Sequence, residues 1–337
     1  DRGWIAETVY AVLRRLRQVR RWAGERATPK ELLVAWLAKG EGWSTRQFEA
    51  SLSATEREWV VALKGLPAPE LSLAERCDFP DWLVERLLPG LGEEGLVALA
   101  RALNQPASLD LRVNPAKADR DAVLAQLRAE GLAAEPGAWS PLALRLKAKP
   151  ALQKHPLFLS GAIEVQDEGS QLLAWLLAPK RGELVVDFCA GAGGKTLLLG
   201  ALMRSTGRLY AFDVSDKRLA KLKPRAARAG LSNVHPVVIA NENDIRVKRL
   251  AGKADRVLVD APCSGLGTLR RNPDLKWRQT PESVDELTAK QAAILASAAK
   301  LVKLGGRLVY ATCSLLEEEN EAIVSAFLAS HAGFASA

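Results

Sequence analysis

From about Gly161 the sequence alternates short apolar runs with longer helical stretches, and this rhythm constrains the fold more than any other feature. Runs at Leu184–Phe188, Arg208–Phe212, Pro236–Ala240, Arg256–Asp260 and Arg307–Thr312 read as strands. Stretches at Lys195–Met203, Asp216–Ala229 and Ser283–Lys303 read as the helices between them. Leu-Val-Val and Val-Leu-Val show no polar alternation, so these strands are buried on both faces, as in a parallel sheet covered by helices. The expected fold class is α/β, with a Rossmann-like, mostly parallel sheet spanning residues 161–337.

Two further regions precede it. Residues 1–105 read as helical. Ile5, Val9, Leu13 and Leu16 share one helical face, and Lys30–Ala38 is a second apolar helix. Ser53-Ala-Thr-Glu56 is a capping box that opens a third, running to Gly65. Pro80–Leu88 and Glu93–Leu103 supply two more. Six of the nine tryptophans fall here, where they are expected to fill a helical core. Residues 106–160 then form a small α/β subdomain. Ser108–Asn114 and Leu142–Lys147 alternate as half-buried strands, around a helix at Asp119–Glu130 that Gly131 ends.

A chain of 337 residues is long enough for such a three-part organisation. Its longest apolar stretch, Leu172–Ala178, is far short of a membrane span. It opens on Asp1 rather than Met, and no signal peptide is visible; the expectation is a cytoplasmic protein. Cys77, Cys189, Cys263 and Cys313 lie far apart without CxxC spacing, which argues against bound metal and against a disulfide framework. The net charge of +8 is uneven. Asp1–Lys30 holds eight Lys/Arg against three acids, and Ile245–Arg278 nine against three. Two such clusters point to a polyanion partner.

The first strand of the large domain runs into Phe188-Cys-Ala-Gly-Ala-Gly-Gly-Lys-Thr196. A glycine-rich turn there lets backbone N–H groups approach a ligand at the carboxyl edge of the sheet. A phosphate loop would need glycine at position 189, where Cys189 stands, and a dinucleotide fingerprint would need it at Thr196. S-adenosylmethionine is the surviving candidate. Its expected contacts are Cys189, Ala190, Gly191, Ala192, Gly193, Gly194 and Lys195, with Asp213, Arg218 and Asp260. Cys189 serves there as a small loop residue. Asp213 closes the second strand, where an acid takes ribose hydroxyls; the alternative is that it caps the helix beginning at Ser215. Asp244 is the candidate for the adenine amine.

Two thiols stand at strand ends, in Asp260-Ala-Pro-Cys-Ser-Gly265 and in Tyr310-Ala-Thr-Cys-Ser314. Carbon 5 of cytosine attacks a methyl sulfonium only after a thiolate has added at carbon 6 and nitrogen 3 has been protonated. A thiol, an acid and a second group to release the adduct are what such chemistry requires.

These motifs, with Arg270-Arg-Asn-Pro-Asp-Leu-Lys-Trp277, Val165-Gln-Asp-Glu-Gly-Ser170 and Glu317-Glu-Glu-Asn320, resemble the Sun/RsmB (Fmu) family of RNA cytosine-5 methyltransferases from about residue 106 to 330. The resemblance implies a class I methyltransferase domain with Cys313 as nucleophile and Cys263 assisting release. It implies that Asp260 holds the pyrimidine edge, with Lys195 close to cofactor and base. Arg270, Arg271 and the segment to Lys276 would line the RNA path. The implied substrate is ribosomal RNA, acted on by a monomer without metal or membrane. Transfer RNA, DNA, or binding without catalysis remain open alternatives. The family departs at Ala254, where it usually has Phe or Val, and at Asn243, where Asp244 often follows a glycine. It also continues past Ala337 into an antiparallel hairpin, and in bacterial members begins with a NusB-like helical domain.

Overall fold

The computed structural model describes residues 2–67 and 69–337. They divide into two compact units. One gathers the residues up to Ala107 with Ser264–Val284 and Cys313–Leu316; the other holds Ser108–Cys263, Asp285–Thr312 and Glu317–Ala337.

The first unit is helical. Its opening helix stops at Arg14 and a second runs Leu16–Ala23, because Arg15 leaves helical geometry at φ −117, ψ 25. The apolar face expected here is incomplete: Leu16 is buried, whereas Ile5 and Val9 are about half exposed. Thr28 opens Pro29–Ala35 with a capping box, as Ser53 does for Ala54–Gly65. The two helices read at Pro80–Leu88 and Glu93–Leu103 are both present within Asp81–Leu103, separated by a kink where Gly92 is non-helical at φ 64, ψ 173. Trp22, Trp36, Trp43 and Trp59 pack on the first helical core, which Val19, Phe48 and Val60 help to build. A second core joins Phe79, Leu83 and Leu96 to Leu266, Leu269, Val284 and Leu316. Residues far along the chain thus complete the helical unit.

The second unit contains two sheets. Strands β1 (Leu109–Val113), β2 (Ala134–Pro136), β3 (Ala143–Leu146) and β4 (Ile163–Val165) pair antiparallel in the order β2-β3-β1-β4. Helix Arg120–Ala129, capped by Asp119, packs Val123 and Leu127 against them. Because β4 pairs with β1, the small subdomain reaches Val165, past the boundary expected at 160.

The large sheet holds β5 (Leu184–Asp187), β6 (Arg208–Asp213), β7 (Val234–Val238), β8 (Ala254–Asp260) and β9 (Val302–Ala311) in the order β7-β6-β5-β8-β9. Every neighbouring pair is parallel. Val185 and Val186 point to opposite cores, so helices cover both faces. This is the Rossmann-like order, with the reversal of strand progression between β5 and β8. Three boundaries differ from the sequence reading. Strand β7 starts at Val234 and carries Pro236, which an edge strand tolerates because one side of it makes no ladder bonds. The stretch 216–229 is two helices, Asp216–Leu219 and Leu222–Ala229; Pro224 lacks an N–H and its ring crowds the carbonyl four residues back. The last long helix ends at Ala299, and β9 has begun by Val302.

Among the described residues no helix is long and apolar enough to cross a membrane. No cluster of three or more His, Cys, Asp or Glu suited to a metal occurs among them either.

Candidate cofactor loop and thiol site

Strand β5 delivers its last residue, Asp187, to the crevice where strand order reverses. The following loop is folded by its own backbone and by the next strand. Ala190 N donates to Phe212 O at 2.9 Å, and Gly191 N donates to the Asp213 carboxylate at 2.8 Å. Gly193 has φ +86, and a Cβ there would lie 2.2 Å from the Leu222 side chain; only glycine closes this turn. Gly191, at φ +57, has nothing within 4 Å of such a Cβ, so the loop's outer side is open to a ligand. Asp213 is buried and spends its other oxygen on Ser215 N. The cap of the next helix is Ser215, not Asp213. Arg218 reaches to 3.6 Å of Asp213.

The electrostatics of the crevice discriminate between ligands. Burial pushes the Asp187 carboxyl up to about 6, with Asp260 and Asp213 nearby adding to the rise and the Thr196 hydroxyl, 2.6 Å away, opposing it. Burial first, and then the same three carboxylates, push the Cys189 thiol well above its ordinary range, so it stays protonated. Lys195, the cation a phosphate loop would aim at its ligand, instead lies 2.6 Å from Asp260. A site ringed by carboxylates disfavours phosphate and suits a cationic sulfonium with an ammonium group.

At the end of β8, Asp260 pairs in register with Ala311 of β9, and Ala261 N donates to Ala311 O at 2.9 Å. Cys263 follows, partly buried. The carbonyl before it, on Pro262, accepts a 2.9 Å hydrogen bond from Gln291 Nε2, which also donates to buried Glu319. Tyr310 in turn donates to Glu319 O, and Thr312 donates to Asn320. The Glu317–Asn320 motif therefore braces the Pro-Cys loop and the end of β9.

In the helical unit Cys313 is exposed. Its carbonyl accepts from Gly267 N at 2.8 Å, and a Cβ on Gly267 would sit 2.8 Å from that oxygen. Ser264 and Ser314, the residues that follow the two cysteines, have hydroxyls 3.1 Å apart. Arg270 is exposed, with one nitrogen on Pro106 O; Arg271 is half-buried. Lys276 corrects the sequence reading. It is fully buried, donates to Arg14 O at 3.0 Å and to Asn104 Oδ1 at 2.8 Å, and cannot line an RNA path. Burial lowers its ammonium to about 7 against the pull of Asp78.

The two basic clusters are likewise spent internally to a large extent. Arg14 is buried against Arg270 O, Arg15 and Arg17 bind Asp78 and Asp81, and Arg256 pairs with Glu183. Asp244 is engaged too, capping Ile245–Lys248 and pairing with Arg246 at 2.9 Å, which holds its carboxyl below the usual range.

Comparison with known proteins decides the family. Residues 174–337 match the family model described as 16S rRNA methyltransferase RsmB/F, and residues 79–153 match its ferredoxin-like domain. A curated relative from Synechocystis, named "Probable ribosomal RNA small subunit methyltransferase B", is 42% identical over 79% of this chain and 60% of its own length. The crystal structure of PH0851 superposes with a TM-score of 0.82 at 30% identity, covering 98% of this chain and 81% of that one. A methyltransferase homolog protein from Pyrococcus horikoshii gives 0.68 at 31%, over 76% and 81%. The chain belongs to the RsmB/F methyltransferase family. It spans roughly 60% of the length of the curated relatives it matches.

Several residues that shape this RsmB/F crevice carried no role in the sequence reading. Arg112, on β1 and fully buried, donates to Gly194 O at 2.7 Å and to Gln166, tying the small sheet to the start of the helix after the glycine loop. Desolvation lowers its guanidinium to about 10. Arg225 donates to Ala192 O and pairs with Glu164. Gln166 lies in the Val165–Ser170 motif, which is the feature of the sequence that points to it. Arg112, Arg225 and Gln291 sit in no motif and are recognised only through long-range partners.

Proposed function

We propose that the chain transfers a methyl group from S-adenosylmethionine to carbon 5 of a cytidine in ribosomal RNA, through a covalent adduct with Cys313. The observation that carries this reading is the carboxylate-ringed glycine loop beside the Asp260–Lys195 pair, three residues before a Pro-Cys thiol. Family membership and the names of the curated relatives support it. The residues present suit the cofactor: Gly191 leaves room for it, the carboxylates of Asp213 and Asp187 favour positive charge, and the loop backbone is braced by Arg112 and Arg225. When bound, S-adenosylmethionine supplies an electrophilic methyl on sulfur.

The chain's own groups would do the rest. Cys313 Sγ, which is exposed, would bond to carbon 6 as its thiolate while nitrogen 3 takes a proton from the Asp260 carboxyl, leaving a carboxylate that Lys195 holds in place. Carbon 5 then takes the methyl. Cys263, whose loop the Gln291 brace holds, would take the carbon 5 proton as the Cys313 thiolate is expelled, and the nitrogen 3 proton returns to Asp260. The cytidine must leave its stack to be reached, which is the cost common to enzymes acting on bases.

Single-cysteine variants test the division of roles. Cys313→Ala is expected to abolish methylation and adduct formation, a loss of more than about 10³-fold. Cys263→Ala is expected to accumulate a protein–RNA adduct on a denaturing gel. An adduct that survives loss of Cys313 and vanishes with Cys263 would exchange the roles. Bisulfite sequencing of RNA from a deletion strain would name the nucleotide.

A further inference from the structure

All five strands of the large sheet run the same way, so the segments leading into them meet at the edge opposite the glycine loop and Asp260. The segments before and opening β5, β6, β8 and β9 are residues 178–184, 203–208, 249–256 and 300–307. They hold ten Lys/Arg and two acids, a net +8, which equals the net charge of the whole chain. The remaining residues sum to neutral. This edge thus carries a strong net positive charge of its own.

The segments form a continuous surface. Gly182 N donates to Thr206 Oγ1 at 3.0 Å, Arg208 N to Glu183 O at 3.0 Å, and Gly252 N to Lys300 O at 2.9 Å. Both acids are already matched. Glu183 pairs with Arg256 at 3.3 Å, and Asp255 pairs with Lys303 and accepts from Leu184 N. Lys180, Arg181, Arg204, Arg208, Lys253 and Lys300 are exposed. A merely solvated face interleaves both signs; this one presents cations alone. Four adjacent strands at about 4.8 Å spacing make a front of roughly 15 Å, wide enough for several consecutive phosphates.

We propose that this edge is a second RNA-binding surface, which grips the phosphate backbone of a duplex segment of the substrate while the cytidine is handled at the opposite edge. The inference rests on the reading that the substrate is RNA. Contacts of this kind position a nucleic acid without reading its sequence.

The test uses the full chain and an A–U RNA duplex of about 20 base pairs, which offers no cytidine to the catalytic pocket. The variant Lys180→Gln/Arg204→Gln/Arg208→Gln/Lys300→Gln is compared with the parent across about 50 to 200 mM salt. Loss of four phosphate contacts is expected to lower the slope of log affinity against log salt by about three, and to weaken binding at least about 10-fold at mid-range. Thermal melting should match the parent, since these side chains are exposed. Equal slope and affinity in variant and parent overturn the surface. Methylation of a cytidine-containing RNA by the parent is measured alongside. A parent that methylates while the variant binds duplex normally sinks only the surface; a parent that methylates no RNA but shows the slope difference sinks only the proposed activity.

Discussion

Asp187 shows how one residue can serve the site at the expense of the fold. It ends β5 beneath the glycine loop, 1% exposed, with one oxygen on Thr196 and the other without a hydrogen-bond partner. Burial raises its pKa from 3.8 to about 6, so the folded chain holds a proton that the unfolded chain has released between those values. Stability from this group therefore falls as pH rises through that window and stays low above about 6. The penalty is on the order of 3 kcal/mol. Asp187→Asn removes the titration, and the melting difference between variant and parent should grow from pH 4 to 6 and then level off. A difference that is flat with pH would show that the carboxyl titrates normally. At this scale the sequence exposes what a motif carries: Asp213 was nameable from spacing, and Asp260, Lys195 and the roles of the two thiols from motifs that resemble the family's. Asp187 was read only as part of a strand, and Gln291 was not visible at all, because its role depends on a carbonyl 29 residues away in sequence.

Among the elements, the segment from Arg270 to Lys276 departs furthest from its reading as a lining of the RNA path. Its helix Leu275–Arg278 is anchored through Lys276, while Trp277 Nε1 donates to Leu13 O at 2.8 Å. A lysine among arginines in a basic run looks like a surface residue until its partners, Arg14 O and Asn104, are known. Lys276→Met is expected to leave Asp78 buried with less compensation and to cost about 3 kcal/mol, read as a drop in melting temperature. Its RNA-binding salt slope should stay at the parental value; a slope reduced by about one would restore Lys276 to the phosphate path. The parallel strands, in contrast, were legible because burial on both faces leaves no polar position to blur them. The amphipathic helix at the start was overread: Ile5 and Val9 keep the period, but Arg15 breaks the helix and the packed face begins only at Leu16.

For the molecule as a whole, the consequential fact is that the helical unit is assembled from three separate pieces of chain. Residues 161–337 were expected to form a catalytic domain of their own, yet Leu266, Leu269, Val284 and Leu316 from that range are buried in a core with Phe79, Leu83 and Leu96. Periodicity cannot reveal this, since an apolar residue looks the same whichever core receives it. Removing the N-terminal helices would strip those four side chains of their partners. At roughly 2 kcal/mol each they represent about 8 kcal/mol, the order of a whole domain's stability. A chain of residues 108–337 is therefore expected to lose cooperative melting and to bind a hydrophobic dye. Co-expression with residues 2–107 should restore both solubility and the melting transition. A truncated chain that melts sharply by itself, without dye binding, would mean that the segments around Cys263 and Cys313 find their fold without the helical unit. Their attachment to it would then serve substrate binding rather than stability.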